Sequence, residues 1–141
     1  MNKTRVFELL LTDDGTLNLR DPEATDRDLG YLLPLAKMIK GLEIGPDPLI
    51  TFAGIKKLAP LKKHLKYLDI WELPLDDKGL LLIVDLFPKL THLLFGGKRV
   101  TVTLEGLEHL AGLPDLAEVT VNYIDYAARL RFLYPKLVVR N

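Results

Sequence analysis

From Leu17 onward the chain repeats a short motif in which two apolar residues flank one polar or mixed position. The pairs are Leu17/Leu19, Leu42/Ile44, Leu68/Ile70, Leu93/Phe95 and Val119/Val121, with successive spacings of 25, 26, 25 and 26 residues. Alternation of this kind predicts short strands, each with one face inside and one outside. In LKYLDIW (65–71), Leu68 and Ile70 point inward, and Tyr67, Asp69 and Trp71 point outward. A second signature keeps the same period: ATDRDL from Ala24, ITFAGI from Ile50, LDDKGL from Leu75 and VTLEGL from Val102. After each comes a segment with apolar residues every three or four positions: LGYLLPLAKMI, IKKLAPLKKHL, LLLIVDLFPKL and LEHLAGLPDL. That spacing predicts short amphipathic helices. Thr25, Thr51, Asp76 and Thr103 stand where each helix would be capped.

One strand–turn–helix unit of this size cannot bury its own apolar face, so stacked units must share a core. The four registered copies resemble the leucine-rich repeat family, in its ribonuclease-inhibitor-like or "cysteine-containing" subclass, over roughly residues 16–122. The resemblance implies an α/β solenoid, a right-handed β-α superhelix. A parallel sheet would form its concave face and short helices its convex face. The family's usual Asn or Cys after the strand is replaced here by Pro22, Asp47, Leu73 and Lys98. Pro34 and Pro60 occupy equivalent places and are expected to shape the connection from helix to the next strand.

The ends read as caps for an otherwise open stack. VFELLL, the turn residues Asp13-Asp14-Gly15 and TLNLRD predict an N-terminal β-hairpin. The whole chain is expected to form one domain: 1–23 as hairpin cap and first strand, 24–122 as repeats, and 123–141 as C-terminal cap. Two registers are open for the last strand. Pro135-Lys136-Leu137 matches Pro88-Lys89-Leu90 and Pro114-Asp115-Leu116, whereas alignment on the strand makes Leu137 and Val139 the inward pair.

With inward positions assigned, the outward ones form a candidate partner-binding surface. It comprises Glu43, Tyr67, Asp69, Trp71, His92, Leu94, Glu118, Thr120 and Asn122. Aromatic anchors inside a polar rim are what interface hot spots need. Gly45 and Gly96 flank Trp71, so its indole either anchors a partner or lies flat across the glycines. Glu43 and Asp69 would be neighbours on adjacent strands: a solvated acidic strip, or a carboxylate pair suited to acid–base chemistry.

Composition narrows the chemistry. The 141 residues contain no Cys, which excludes disulfides and thiolate metal sites, and no Ser. Gln is also absent and Leu is abundant. About ten Ser would be ordinary at this length, so a designed or engineered origin is a second reading. His64 and His109 are expected on the convex helices and His92 on the sheet, a distribution that gives no metal set. Formal charge is zero, with 19 basic and 19 acidic residues, and implies no global attraction to nucleic acid or membrane. Lys56, Lys57, Lys62, Lys63 and Lys66 could contact phosphates or acidic proteins, or simply solvate a convex face. FGGKR (95–99) lacks the ending of a phosphate loop and reads as a turn.

MNKTRVFELLL is too short and charged for a signal peptide or membrane span, which makes a cytoplasmic chain the expectation and the Asn2-Lys3-Thr4 sequon a chance match. The resemblance implies a non-enzymatic module that binds another protein on its concave sheet. No cofactor, nucleic acid, membrane or small-molecule substrate is expected. An enzyme using the acidic strip is the remaining alternative.

Overall fold

The computed structural model describes residues 2–20, 23–44 and 49–141. Six strands, each three residues long, form an all-parallel sheet in chain order: β1 (Thr16–Asn18), β2 (Gly41–Glu43), β3 (Tyr67–Asp69), β4 (His92–Leu94), β5 (Glu118–Thr120) and β6 (Val138–Arg140). Leu17, Leu42, Leu68, Leu93, Val119 and Val139 are paired in register from strand to strand. The ten predicted inward residues from Leu17 to Val121 are each at most 2 % exposed, while their outward neighbours are mostly half-buried. The α/β arrangement with a parallel sheet is therefore the one the pattern predicts. Parallel neighbours need a crossover, and a helical segment supplies each one.

The helices are α1 (Lys3–Leu10), α2 (Phe52–Ile55), α3 (Asp77–Leu86) and α4 (Ile124–Leu133). They are joined by 3-10 segments at Asp26–Leu35, Lys56–Leu61 and Gly106–Gly112. Pro34 and Pro60 fall inside the first two 3-10 segments, near their ends, just before the chain turns toward the next strand. Leu29, Leu32, Ile55, Leu58, Leu80, Ile83, Leu107 and Leu110 join the inward strand residues in one continuous core cluster.

Adjacent units are tied by a carboxylate that the repeat signature does not announce. Asp26 accepts from the Thr51 N–H at 2.7 Å and from its hydroxyl at 2.5 Å. Asp77 does the same for Thr103, at 2.8 and 2.6 Å. A Cβ added to the next unit's glycine, Gly54 or Gly106, would stand 2.0 Å from the Oδ1 of that carboxylate. At the intervening step Phe52 takes that position, and its ring covers Gly79. Two predicted caps act directly: Asp76 accepts from Gly79 N at 2.8 Å and Thr103 from Gly106 N at 2.9 Å. Thr51 turns its hydroxyl to Asp26 instead.

The N-terminal hairpin is a correction. Residues 3–10 are helical, and no strand among the described residues runs antiparallel to β1. Asn2 caps the helix by accepting from Arg5 N at 2.8 Å, and Arg5 pairs with Glu8 one turn on. Of the apolar run only Phe7 is fully buried, with Leu11 packed against the core. α1 lies on the Asp26–Leu35 segment, held by Thr4 Oγ1 donating to the Tyr31 carbonyl and by a Lys3–Asp28 ion pair. It covers the side of the first unit that later units cover with a preceding helix. The expected turn does form: Gly15 has φ +85°, and its N–H donates to the Thr12 carbonyl at 3.0 Å. It reverses a helix into a strand rather than a strand into a strand.

Asp28 accepts from Lys3 and from the Thr25 N–H at 3.0 Å, and these bonds hold its carboxyl below the ordinary value. A lowered folded pKa stabilises at pH above the unfolded value near 4, and that stabilisation fades as pH falls through the lowered one. Asp28→Asn is therefore expected to cost about 1–2 kcal/mol near neutrality. Its loss of stability on acidification should be shallower than that of the wild type in urea titrations at stepped pH.

At the far end the last strand keeps the turn of the Pro-x-Leu match but follows neither register along its length: Val139, not Leu137, takes the place of Val119. Leu137 N–H donates to Tyr134 O at 3.0 Å, as Leu90 does to Phe87 and Leu116 to Leu113. Val139 then pairs with Val119, one residue earlier than that match would place it. Leu137 and Val139 are both half-buried against the core. The outward-facing Val139 carbonyl accepts from Arg131 Nη2 at 3.0 Å, which blunts the exposed edge.

Candidate functional site

On the helix-free face the strand alternation brings the predicted site residues into rows. Tyr67, His92 and Glu118 stand side by side, as do Glu43, Asp69, Leu94 and Thr120. Trp71 and Asn122 follow the ends of β3 and β5, with Asn122 exposed. Tyr67 and His92 are tilted rings with centroids 6.3 Å apart. His92 Nδ1 is 2.9 Å from the Thr91 hydroxyl, and its Nε2 is 4.0 Å from Glu118 Oε2. Glu118 Oε1 accepts from Arg140 Nε at 2.9 Å.

Glu43 and Asp69 are register partners, as expected, but they differ in state. Asp69 is only 7 % exposed. Its Oδ2 pairs with Arg20 Nη2 at 2.8 Å, and its Oδ1 accepts from the Trp71 N–H at 3.0 Å. Arg20 follows β1 and reaches across β2 to make this bond. Glu43 has no ion-pair partner among the described residues and faces an open groove with Tyr67, Thr16, Lys40 and Lys66. Burial, then the charges of Asp69 and Glu43, push the Tyr67 phenol above its ordinary pKa and keep it a neutral hydroxyl.

Trp71 is half-buried. A Cβ on Gly96 would stand 2.5 Å from its Cη2, so the indole lies directly over that glycine. The other predicted flank, Gly45, is outside the described residues, as are Pro22 and Asp47. Leu73 is fully buried in the core, while Lys98 is exposed. In FGGKR, Gly97 has φ +99°, and its carbonyl accepts from the Tyr123 hydroxyl at 3.0 Å. His109 lies in the last 3-10 segment, but His64 sits in the turn after Leu61 rather than in a helix.

Arg20 and Arg140 belong to this surface although the predicted site omits them. Both are outward-facing by the same alternation, Arg20 two positions beyond Asn18 and Arg140 directly after Val139. What marks them is that each faces a column containing an acid. Among the described residues no group of three or more acidic or His side chains is arranged to hold a metal ion. Nor is any described helix long and apolar enough to cross a membrane. No family model matches the chain, and no curated protein matches it.

Proposed function

We propose that this chain is a leucine-rich repeat solenoid of the ribonuclease-inhibitor-like type, a non-enzymatic, cytoplasmic module that binds another protein on its helix-free, concave face. The observation that carries the reading is the half-exposed group of Tyr67, His92 and Leu94 on β3 and β4 with Trp71 just beyond β3. Around it run Glu43, the Arg20–Asp69 pair, the Glu118–Arg140 pair, Thr120 and Asn122. A large aromatic surface held on short, register-locked strands loses little entropy on binding, and its ionic rim supplies orientation. Trp71 has a stable seat on Gly96, so it is preorganised whether or not a partner is present.

The test compares wild type with Trp71→Ala in affinity capture followed by titration of the captured partner. Trp71→Ala is expected to weaken binding by at least about thirtyfold, the scale of a hot-spot residue. Its melting temperature should stay within a few degrees of wild type. Unchanged affinity, or a collapse of thermal stability, would show that the indole serves only to cover backbone. The absence of Ser, Gln and Cys supports a second reading, a designed scaffold without a natural partner. That reading requires a melting temperature above about 90 °C and no captured partner.

A further inference from the structure

The zero net charge conceals a separation that only the folded chain reveals. The segments that lead from each helix into the next strand are 36–40, 62–66, 87–91, 113–117 and 134–137, and all but 113–117 bear lysine: Lys37, Lys40, Lys62, Lys63, Lys66, Lys89 and Lys136. All seven lysines are exposed, and none is in an ion pair among the described residues. Because the sheet is parallel and in register, these segments all emerge at one end of the strands. Lys66 N–H donates to the Lys40 carbonyl at 2.8 Å, and Thr91 N–H to the Lys66 carbonyl at 2.7 Å. The acids in the turns at this end are Asp13, Asp14 and Asp115, of which Asp14 is engaged by the Thr12 hydroxyl and the Thr16 N–H; Glu8, paired with Arg5, and Asp85 stand in the last turns of α1 and α3. Among the described residues the opposite connections hold Arg20, Glu23, Glu72, Asp76, Lys98, Arg99 and Glu105 and show no such excess.

Apolar side chains stand exposed at the same end. Met38 lies in the turn between Lys37 and Lys40 and is 48 % exposed. α1 runs alongside the Asp26–Leu35 segment and ends just before the turn into β1, which places Leu9 and Leu10 there, 57 % and 42 % exposed. We propose that this rim, the lysine-bearing turns with Met38, Leu9 and Leu10, is a docking surface for an anionic lipid bilayer. Lysines near such a surface gain from its negative potential, and apolar knobs among them can enter the interface. Turns at the ends of parallel strands make a broad edge that many headgroups can contact at once. A nucleic acid fits less well: these turns hold no arginine to grip phosphates bidentately and no exposed aromatic ring on which bases could stack. The rim borders the helix-free face, since Lys40 and Lys66 also line the groove beside Glu43 and Tyr67, but it does not depend on the function proposed for that face.

The experiment is co-sedimentation of the full chain with phosphatidylcholine vesicles, with and without roughly one-third phosphatidylserine. Binding is expected only to the anionic vesicles and should fall steeply as salt rises from about 0.05 to about 0.5 M. Lys62→Glu/Lys63→Glu/Lys66→Glu should lower the partition coefficient by at least about tenfold, since one surface lysine contributes about fivefold. Met38→Asp should weaken it further. Lys56→Glu/Lys78→Glu/Lys98→Glu, an equal charge change elsewhere on the surface, should leave binding within about twofold of wild type. No sedimentation of wild type with anionic vesicles overturns the proposal, as does equal binding to neutral vesicles or an equal loss in the control. Binding of a DNA duplex through the same lysines, with vesicles left unbound, overturns it in favour of a nucleic-acid surface. The lipid and salt dependence of the wild type tests the proposal even if a variant fails to fold.

Discussion

Phe95→Ala is expected to lower the free energy of unfolding by about 3–5 kcal/mol, the largest loss among the substitutions considered. Phe95 is wholly buried at the second inward position, directly after β4, where the other units carry Leu19, Ile44, Ile70 and Val121. Its ring meets that of Tyr126 with centroids 6.0 Å apart and a 54° tilt. Tyr126 is itself anchored, donating from its hydroxyl to the Val102 carbonyl at 2.5 Å. The hole left by Phe95 therefore lies between a sheet held by backbone bonds and a helix held by a tethered tyrosine, neither of which can move in to fill it. Denaturant titration should show a lower midpoint with an unchanged slope. Phe95→Leu, which keeps most of the volume, should lose less than about 1.5 kcal/mol. A loss for the alanine variant no larger than for the leucine variant would mean that the site relaxes and that this packing account is wrong.

Gly106→Ala is expected to cost about 2–4 kcal/mol, with Gly54→Ala close to it. Alanine is ordinarily the better helix residue, so the sign of this effect separates packing from propensity. The added methyl would stand 2.0 Å from Asp77 Oδ1, and displacing that carboxylate breaks its bonds to the Thr103 N–H and hydroxyl. Asp77→Ala alone should cost about 1–3 kcal/mol through the orphaned Thr103 groups. The double variant should cost less than the sum of the two, because without the carboxylate the methyl has room. Additive losses in the double-mutant cycle would show that glycine is there for another reason.

Gly54 and Gly106 also show where the sequence stops being readable. The recurring AGI, KGL and EGL segments mark glycine as part of the repeat, and nothing local says why. The cause is a carboxylate one unit earlier, Asp26 for Gly54 and Asp77 for Gly106, contributed by alternate units only, with Phe52 taking the intermediate step. The N-terminal segment failed for a related reason. VFELLL carries enough apolar residues for a strand, and the turn after it is sound, so local pattern allows a hairpin. The Asn2 cap, the bond from Thr4 to Tyr31 and the Lys3–Asp28 pair favour a helix, and two of those three contacts lie 25 or more residues apart.

Of the candidate surface, the alternation alone determined which residues face outward, because a period of two leaves no other choice once Leu17, Leu42, Leu68, Leu93 and Val119 are inside. It could not tell that Arg20 crosses β2 to neutralise Asp69, leaving Glu43 as the carboxylate without an ion-pair partner there, nor that Trp71 rests on Gly96. The sequence by itself thus determined the register of β1 to β5, the buried ladder and the alternation of strand and helix, all consequences of apolar periodicity over a few residues. Tertiary structure decided the helical N-terminal cap, the carboxylate ties between units and the gathering of seven lysines at one end of a chain with no net charge. These depend on which distant segments a parallel, in-register sheet brings side by side, and no local pattern encodes that distance.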